Sequence, residues 1–443
     1  MDSSLLHDVV RAALAAGADA AEAVGSERRA LSVAVRLGDL EEVEREESRD
    51  LGLRVFIGQR QASASGSDLS ATARANLVER VVAMARLAPE DPYAGLAPAD
   101  RLARAPFPDL DLYDPSERTA AELEQTAREL DSTVQGVEGV TNTDGGSASW
   151  VESSWRLVTS GGFEGAHRAT GFSLSATAIA GEGASMERGG DYRSTRHLAD
   201  LPTPESIGAE AGRRAVQRLN ARKIESRTAP VMFENRRAAS LLGPLMGAIS
   251  GPSVARGVSF LKDRLGERLF PDGVTIVDDP LRVRGLGSSP FDDEGVATER
   301  RNIIDRGVLT TWLLNTAAAR QLGMATTGHA SRGLAGAPGV GSHNLTLQPG
   351  AKTPAELMAD AKAGLLVTDM FGPSINANTG DWSVGVSGFW FENGALAYPV
   401  TEITVAGNLI DIYGRLVPAS DLEIRGAANA PSLMVDGLAI AGR

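Results

Sequence analysis

The stretch from Gly380 to Asn408, GDWSVGVSGFWFENGALAYPVTEITVAGN, decides how this chain reads. Trp382, Val384 and Val386 alternate with small residues, the period of a half-buried strand. Asn393-Gly394 follows, and both residue types tolerate the positive φ that a tight hairpin turn demands. Leu396, Tyr398 and Val400 start the return strand, and Pro399 places that strand at an edge or a bulge because it has no N–H to donate. The stretch is therefore an antiparallel hairpin with one apolar face.

Around it lies a chain of 443 residues, long enough for two or three domains with cores of their own. Its 49 glycines predict abundant turns and bulges. A net charge of −13 and the lack of any basic tract speak against direct contact with nucleic acid, whose phosphates would repel it. With no cysteine, a disulfide framework, a thiolate metal site and a cysteine nucleophile are all excluded. The opening MDSSLLHDVVRAALAAGADA sets Leu5, Leu6, Val9, Val10, Ala13 and Leu14 on one helical face, which predicts a domain helix rather than a signal peptide. No apolar run is long enough to span a bilayer, so the expected compartment is the cytoplasm, with no membrane partner.

Coarse periodicity predicts four regions. Residues 1–88 read as an N-terminal α+β domain: the first helix, strands at 21–25, 31–37, 52–58 and 63–67, and an amphipathic helix over 71–87 with Leu77, Val81 and Met84 in one stripe. Prolines punctuate 89–115, a linker or an extended wrapping segment. Residues 116–224 form a central α+β domain, with a helix over 117–134 capped by Ser116, strand-period sequence to 193 and a closing helix over 204–220. Turns are expected at Asp144-Gly145-Gly146, Gly161-Gly162 and Gly189-Gly190. Helix, strands, helix thus occurs twice, consistent with a distant duplication. Residues 225–443 read as β-rich and barrel-like, with helices near 315–322 and over 353–363. The fold class is α+β: two α/β N-terminal subdomains with antiparallel sheets, then a β-rich, barrel-like C-terminal domain.

The hairpin, together with Leu286–Val296 (LGSSPFDDEGV), Thr401–Leu409 (TEITVAGNL) and Asp421–Gly426 (DLEIRG), resembles the TldD/PmbA family of metalloprotease components once called modulators of DNA gyrase. The resemblance is strongest from Leu242 to Gly442. It implies a zinc-binding HExxxH helix in the catalytic TldD branch. At the matching place this chain has Gly243, Pro244 and Ala248, none of which ligates zinc or serves as a base. The chain is therefore similar to the PmbA/TldE branch. That implies no catalytic residues and no metal or cofactor in this chain, zinc in a TldD-type partner subunit, and a peptide substrate. A homodimer is the alternative assembly. A stand-alone hydrolase with metal held by dispersed residues, or a regulatory binding protein acting on gyrase, are the alternative functions.

Direct reading of the titratable residues leaves several candidates. Among His7, His167, His197, His329 and His343, no two have the spacing of a helical zinc pair. His329 and His343 stand out because they flank the glycine-rich Gly333–Gly341, which reads as a mobile loop. Asp278 and Asp279, before a proline, read as the end of a strand. Asp292-Asp293-Glu294 is the densest carboxylate cluster, either an acid/base or cation site or an Asx turn before Gly295. Asp292, Asp293, Glu294, Trp382, Asn393 and Gly394 are the residues assigned to a substrate or partner groove. No serine has the setting of a nucleophile elbow.

Overall fold

The computed structural model describes residues 1–442. Strands β1 (Ala20–Arg36), β2 (Asp39–Ile57) and β3 (Arg60–Gly66) form a meander between helices α1 (Ser3–Ala15) and α2 (Ala71–Leu87). Strands β4 (Val140–Thr159), β5 (Glu164–Ala180) and β6 (Glu187–Thr195) repeat it between α3 (Ala120–Gln135) and α4 (Pro204–Gln217). Because β1 and β4 pair antiparallel, the two meanders fuse into one six-stranded sheet ordered β3-β2-β1-β4-β5-β6.

Alternation along β1 shows how one sheet serves two cores. Ala21 and Ala23 enter the core beneath α1 and α2, and Val33 the core beneath α3 and α4. Glu22 and Val24, on the opposite face, meet the C-terminal region, where Val24 and Leu157 pack with Phe163 and Phe291. The short strands expected at 21–25 and 31–37 are one strand, and the acidic run Asp39–Asp50 is also strand. Its exposed charges carry no apolar alternation, so only pairing with β1 reveals it.

Two further expectations are corrected. The cap of α3 is Thr119, which exchanges hydrogen bonds with Glu122 in a capping box, and not Ser116. Gly161-Gly162 is the β4–β5 turn, but Gly145-Gly146 lies at a bulge within β4 and Gly189-Gly190 within β6. A Cβ at Gly146 would stand 2.6 Å from the Ala127 carbonyl oxygen of α3, and one at Gly189 would stand 2.1 Å from the Ala215 amide nitrogen of α4. Two of the three glycine pairs mark helices pressed onto the sheet rather than reversals. The proline-rich 89–115 has neither helix nor strand and lies along the sheet and the C-terminal region. Ala103 N–H donates to Gly295, and Leu110 and Leu112 accept from Arg284 and Thr170.

The C-terminal region starts with β7 (Arg227–Phe233) and short helices α5 (Asn235–Ala238), α6 (Leu242–Ala248) and α7 (Gly251–Ala255). Then come β8 (Ile276–Asp278), β9 (Arg301–Asp305), β10 (Val308–Leu309), α8 (Thr316–Gln321), the small hairpin β11 (Ala330–Ser331) and β12 (Gly339–Val340), and β13 (Leu345–Leu347). After α9 (Pro354–Ala361) follow β14 (Ala363–Ile375), β15 (Asp381–Glu392) and β16 (Ala395–Asn408). The chain ends with α10 (Leu409–Arg415), β17 (Val417–Pro418), β18 (Ala428–Asn429) and β19 (Leu433–Ala441). Strands run β16-β15-β14-β7-β19, and β19 pairs back onto β16, closing five strands into a barrel. A smaller sheet, β10-β9-β8-β13-β18, lies beside it. The mixed α+β class with a C-terminal barrel is as expected.

Asn393 and Gly394, with φ of 52° and 83°, form the two-residue turn between Glu392 and Ala395. Pro399 lies beside a bulge at which the β15–β16 register shifts and Glu402 takes a φ of 52°. Among the described residues no helix is long and apolar enough to cross a membrane.

Candidate functional site at the domain junction

Chemistry-bearing side chains converge where the uncovered face of the six-stranded sheet meets the C-terminal region. Glu22 of β1 stands directly across from Arg54 of β2, and Arg54 Nη1 donates to Glu22 Oε1 at 3.1 Å. Arg332, from the glycine-rich loop, donates to the same carboxylate, and all three side chains are buried. Arg54 also grips Gln61 Oε1 at 3.0 and 2.6 Å. The loop read as mobile is docked: Leu334 lies over Gly52, and Gly336 N–H donates to Ser63 Oγ at 2.7 Å.

The acidic triplet sits directly behind this network. Asp292 Oδ1 accepts the N–H groups of Glu294 and Val296, each at 2.9 Å, and Oδ2 accepts that of Ala330 at 3.0 Å. With Gly295 at φ 82°, this is the Asx turn anticipated from the sequence. Glu294 accepts the Thr316 N–H at the start of α8, and Asp293 accepts that of Arg332. Burial, reinforced by the charge of Glu294, pushes the Asp292 pKa well up, and burial likewise raises Asp293 and Glu294. Asp292 and Glu294 are only 2% and 3% exposed, and both fasten backbone N–H groups.

The six residues assigned to a groove do not form one. Trp382 points into the barrel against Phe233, ring centroids 6.2 Å apart. Asn393 and Gly394 occupy a hairpin tip beside α9, where Gly394 approaches Ala355 and Ala359. Apolar alternation made Trp382 conspicuous, and it was the alternation of a core strand.

The cluster the sequence did not reveal is Asp278–His329–His343. Asp278, at the end of β8, lies 3.1 Å through Oδ2 from His329 Nε2 and 2.9 Å from His343 Nδ1. Its Oδ1 accepts the His343 backbone N–H at 2.8 Å, and His329 Nδ1 lies 2.8 Å from Thr327 Oγ1. Burial opposes the charge of Asp278, but the hydrogen bonds from both histidines outweigh it and hold its pKa at about 2. Burial lowers the pKa of His329, against the pull of Asp278. The only hint in the sequence was the placement of both histidines at the ends of one glycine-rich loop.

Whether the family's zinc fits this chain turns on α6. Gly243 is exposed with open space where a side chain would project, Pro244 lacks a donor atom, and Ala248 is buried. These positions cannot hold the ion. The DLEIRG segment is bolted to β6, where Arg425 donates to Asp191 at 2.5 Å and Arg193 pairs with Glu423, and to the start of β19, where Asp421 accepts from Ser432. Clefts of about 440 and 320 Å³ open on either side of it, between sheet and C-terminal region.

The family patterns for the PmbA/TldA metallopeptidase match in three pieces: domain 1 over residues 21–85, the central domain over 106–219 and the C-terminal domain over 226–442. Metalloprotease PmbA of Escherichia coli O157:H7 is 40% identical over 444 aligned positions, covering 99% of this chain and 96% of that protein. A PmbA homologue from Haemophilus influenzae is 37% identical, covering 98% and 94%. Among solved structures, a Bacteroides thetaiotaomicron protein described as a putative modulator of DNA gyrase superposes with a TM-score of 0.92 at 29% identity, covering 100% of this chain and 99% of that one. TldE from Thermococcus kodakarensis shares the fold, with a TM-score of 0.83 at 18% identity over 99% and 100% of the two chains. With all three domains matched in order and close relatives along its whole length, this chain belongs to the PmbA/TldA metallopeptidase family.

Proposed function

We propose that this chain is the PmbA/TldE-type, non-catalytic subunit of a two-component metallopeptidase. It shapes the chamber in which a TldD-type partner, supplying the zinc and the cutting residues, cleaves small or unfolded peptides in the cytoplasm. The observation that carries this reading is α6, where Gly243, Pro244 and Ala248 offer neither a metal donor nor a base.

The surfaces left open suit backbone recognition. On the uncovered face of the sheet, Ser149 pairs with Ser173 and Ser173 with Ser194, a wall of small hydroxyl side chains that imposes little side-chain preference. The β3 strand pairs only with Leu51–Ile57 of β2, which leaves Asp39–Asp50 with a free edge on which an extended peptide can add as a strand. A self-complementary homodimer is the alternative assembly.

Purified alone, the chain is expected to leave an unfolded peptide intact. Titrating in a TldD-type subunit should produce cleavage that saturates near equal amounts of the two chains. Peptide hydrolysis by the isolated chain would overturn the reading in favour of a stand-alone hydrolase.

A further inference from the structure

We propose that Asp278, His329 and His343 form a divalent-metal site of this chain's own, and that the bound ion clamps the base of the β11–β12 hairpin. The site is separate from α6, and the inference does not depend on the chain being catalytically inert.

Three observations carry it. The first is the donor set. Asp278, His329 and His343 each offer one ligand atom, all within 4.8 Å of one another, on side chains that are 1%, 2% and 11% exposed. Two imidazole nitrogens and one carboxylate oxygen suit zinc or a similar first-row ion. The second is what stands behind the donors. His329 is oriented through its other nitrogen by Thr327 Oγ1, and Asp278 through its other oxygen by the His343 amide. Such outer contacts fix the tautomer and direction of metal ligands. The third is charge. Among the described residues no lysine or arginine pairs with Asp278, whose only partners for an ion pair are the two imidazoles. The carboxylate is held by imidazole hydrogen bonds alone, and a divalent ion would add a permanent positive charge opposite it.

The topology says what the ion would do. His329 immediately precedes β11, His343 follows β12 by a few residues, and Asp278 ends β8 in a different sheet. Tying the three together closes the base of the loop that carries Arg332 to Glu22 and seats Leu334 and Gly336 on the N-terminal sheet. Metal occupancy would thereby hold the two halves of the junction in register. The partial exposure of His343 gives an ion its way in from solvent.

The test uses the full chain, stripped with a chelator, supplied with Zn²⁺ and freed of excess by gel filtration. About one zinc per chain is expected. His343→Ala and Asp278→Asn should each weaken binding by about tenfold or more. Proteolysis between residues 332 and 341 should slow when zinc is added to the parent chain and not when it is added to His343→Ala. Replacing Zn²⁺ by Co²⁺ gives a reading that needs no variant: visible absorption bands of a nitrogen-ligated ion are expected. No uptake and no Co²⁺ bands would mean that the cluster is only a hydrogen-bonded His–Asp–His triad and would overturn the proposal. Zinc retained undiminished by both variants, or loop protection indifferent to zinc, would overturn it as well. Peptide hydrolysis is not read, so this result and the result of the partner titration stand or fall separately.

Discussion

His167 shows what burial does to a single group. It stands on β5 against Phe291, ring centroids 5.9 Å apart, and burial together with the nearby charge of Arg196 pushes its pKa from 6.5 down to about 4. A base depressed in the folded state contributes stability above its unfolded pKa and loses that contribution as pH falls through the folded one. The chain should therefore lose about 2–3 kcal/mol between pH 6.5 and about 4, and His167→Phe should flatten that part of the stability profile. Denaturant unfolding across this range checks it, and an unchanged slope in the variant would contradict it. At this scale the sequence was informative only where residues are neighbours. The Asx turn at Asp292 was legible because Gly295 stands three positions on. The cluster at Asp278 was not, because its partners lie 51 and 65 positions away and meet only through the pairing of β8 with its sheet.

Elements were legible where burial imposes a period. Helix α2 falls on the predicted residues 71–87, and α9 starts where Thr353 and Pro354 said it would, the threonine capping through Glu356. The outer half of β2 was missed because Asp39–Asp50, rich in exposed Glu and Arg, has no buried face. The same charges discourage that free edge from pairing with another copy. Glycines in β6 were misread as a turn for a reason that can be measured. Gly189→Ala places a methyl 2.1 Å from the backbone of α4, whereas the Cβ at Gly190 comes no nearer than 3.3 Å to the Ala176 carbonyl oxygen. The first substitution should cost about 3 kcal/mol and the second about 1 kcal/mol or less, by equilibrium unfolding. Equal costs would show that close packing of α4 is not why glycine stands at 189.

For the whole molecule, the repeated helix–strands–helix order in the sequence becomes two meanders joined through β1 and β4, and the alternating C-terminal sequence becomes a closed barrel. Pairing of β1 with β4 could not be read from the sequence, because nothing local in either strand names its partner across more than a hundred residues. The fused sheet leaves one face free of helices. That face and the C-terminal region bound the clefts beside Asp421–Gly426. In the proposed function, this chain builds such walls while another chain cuts. The direct measurement mixes the intact chain with a TldD-type partner in which the glutamate of HExxxH has been replaced, and follows cleavage of an unfolded peptide. A complex that assembles and cleaves nothing is expected. Cleavage persisting in that mixture would place cutting residues in this chain and rule out the proposed division of labour.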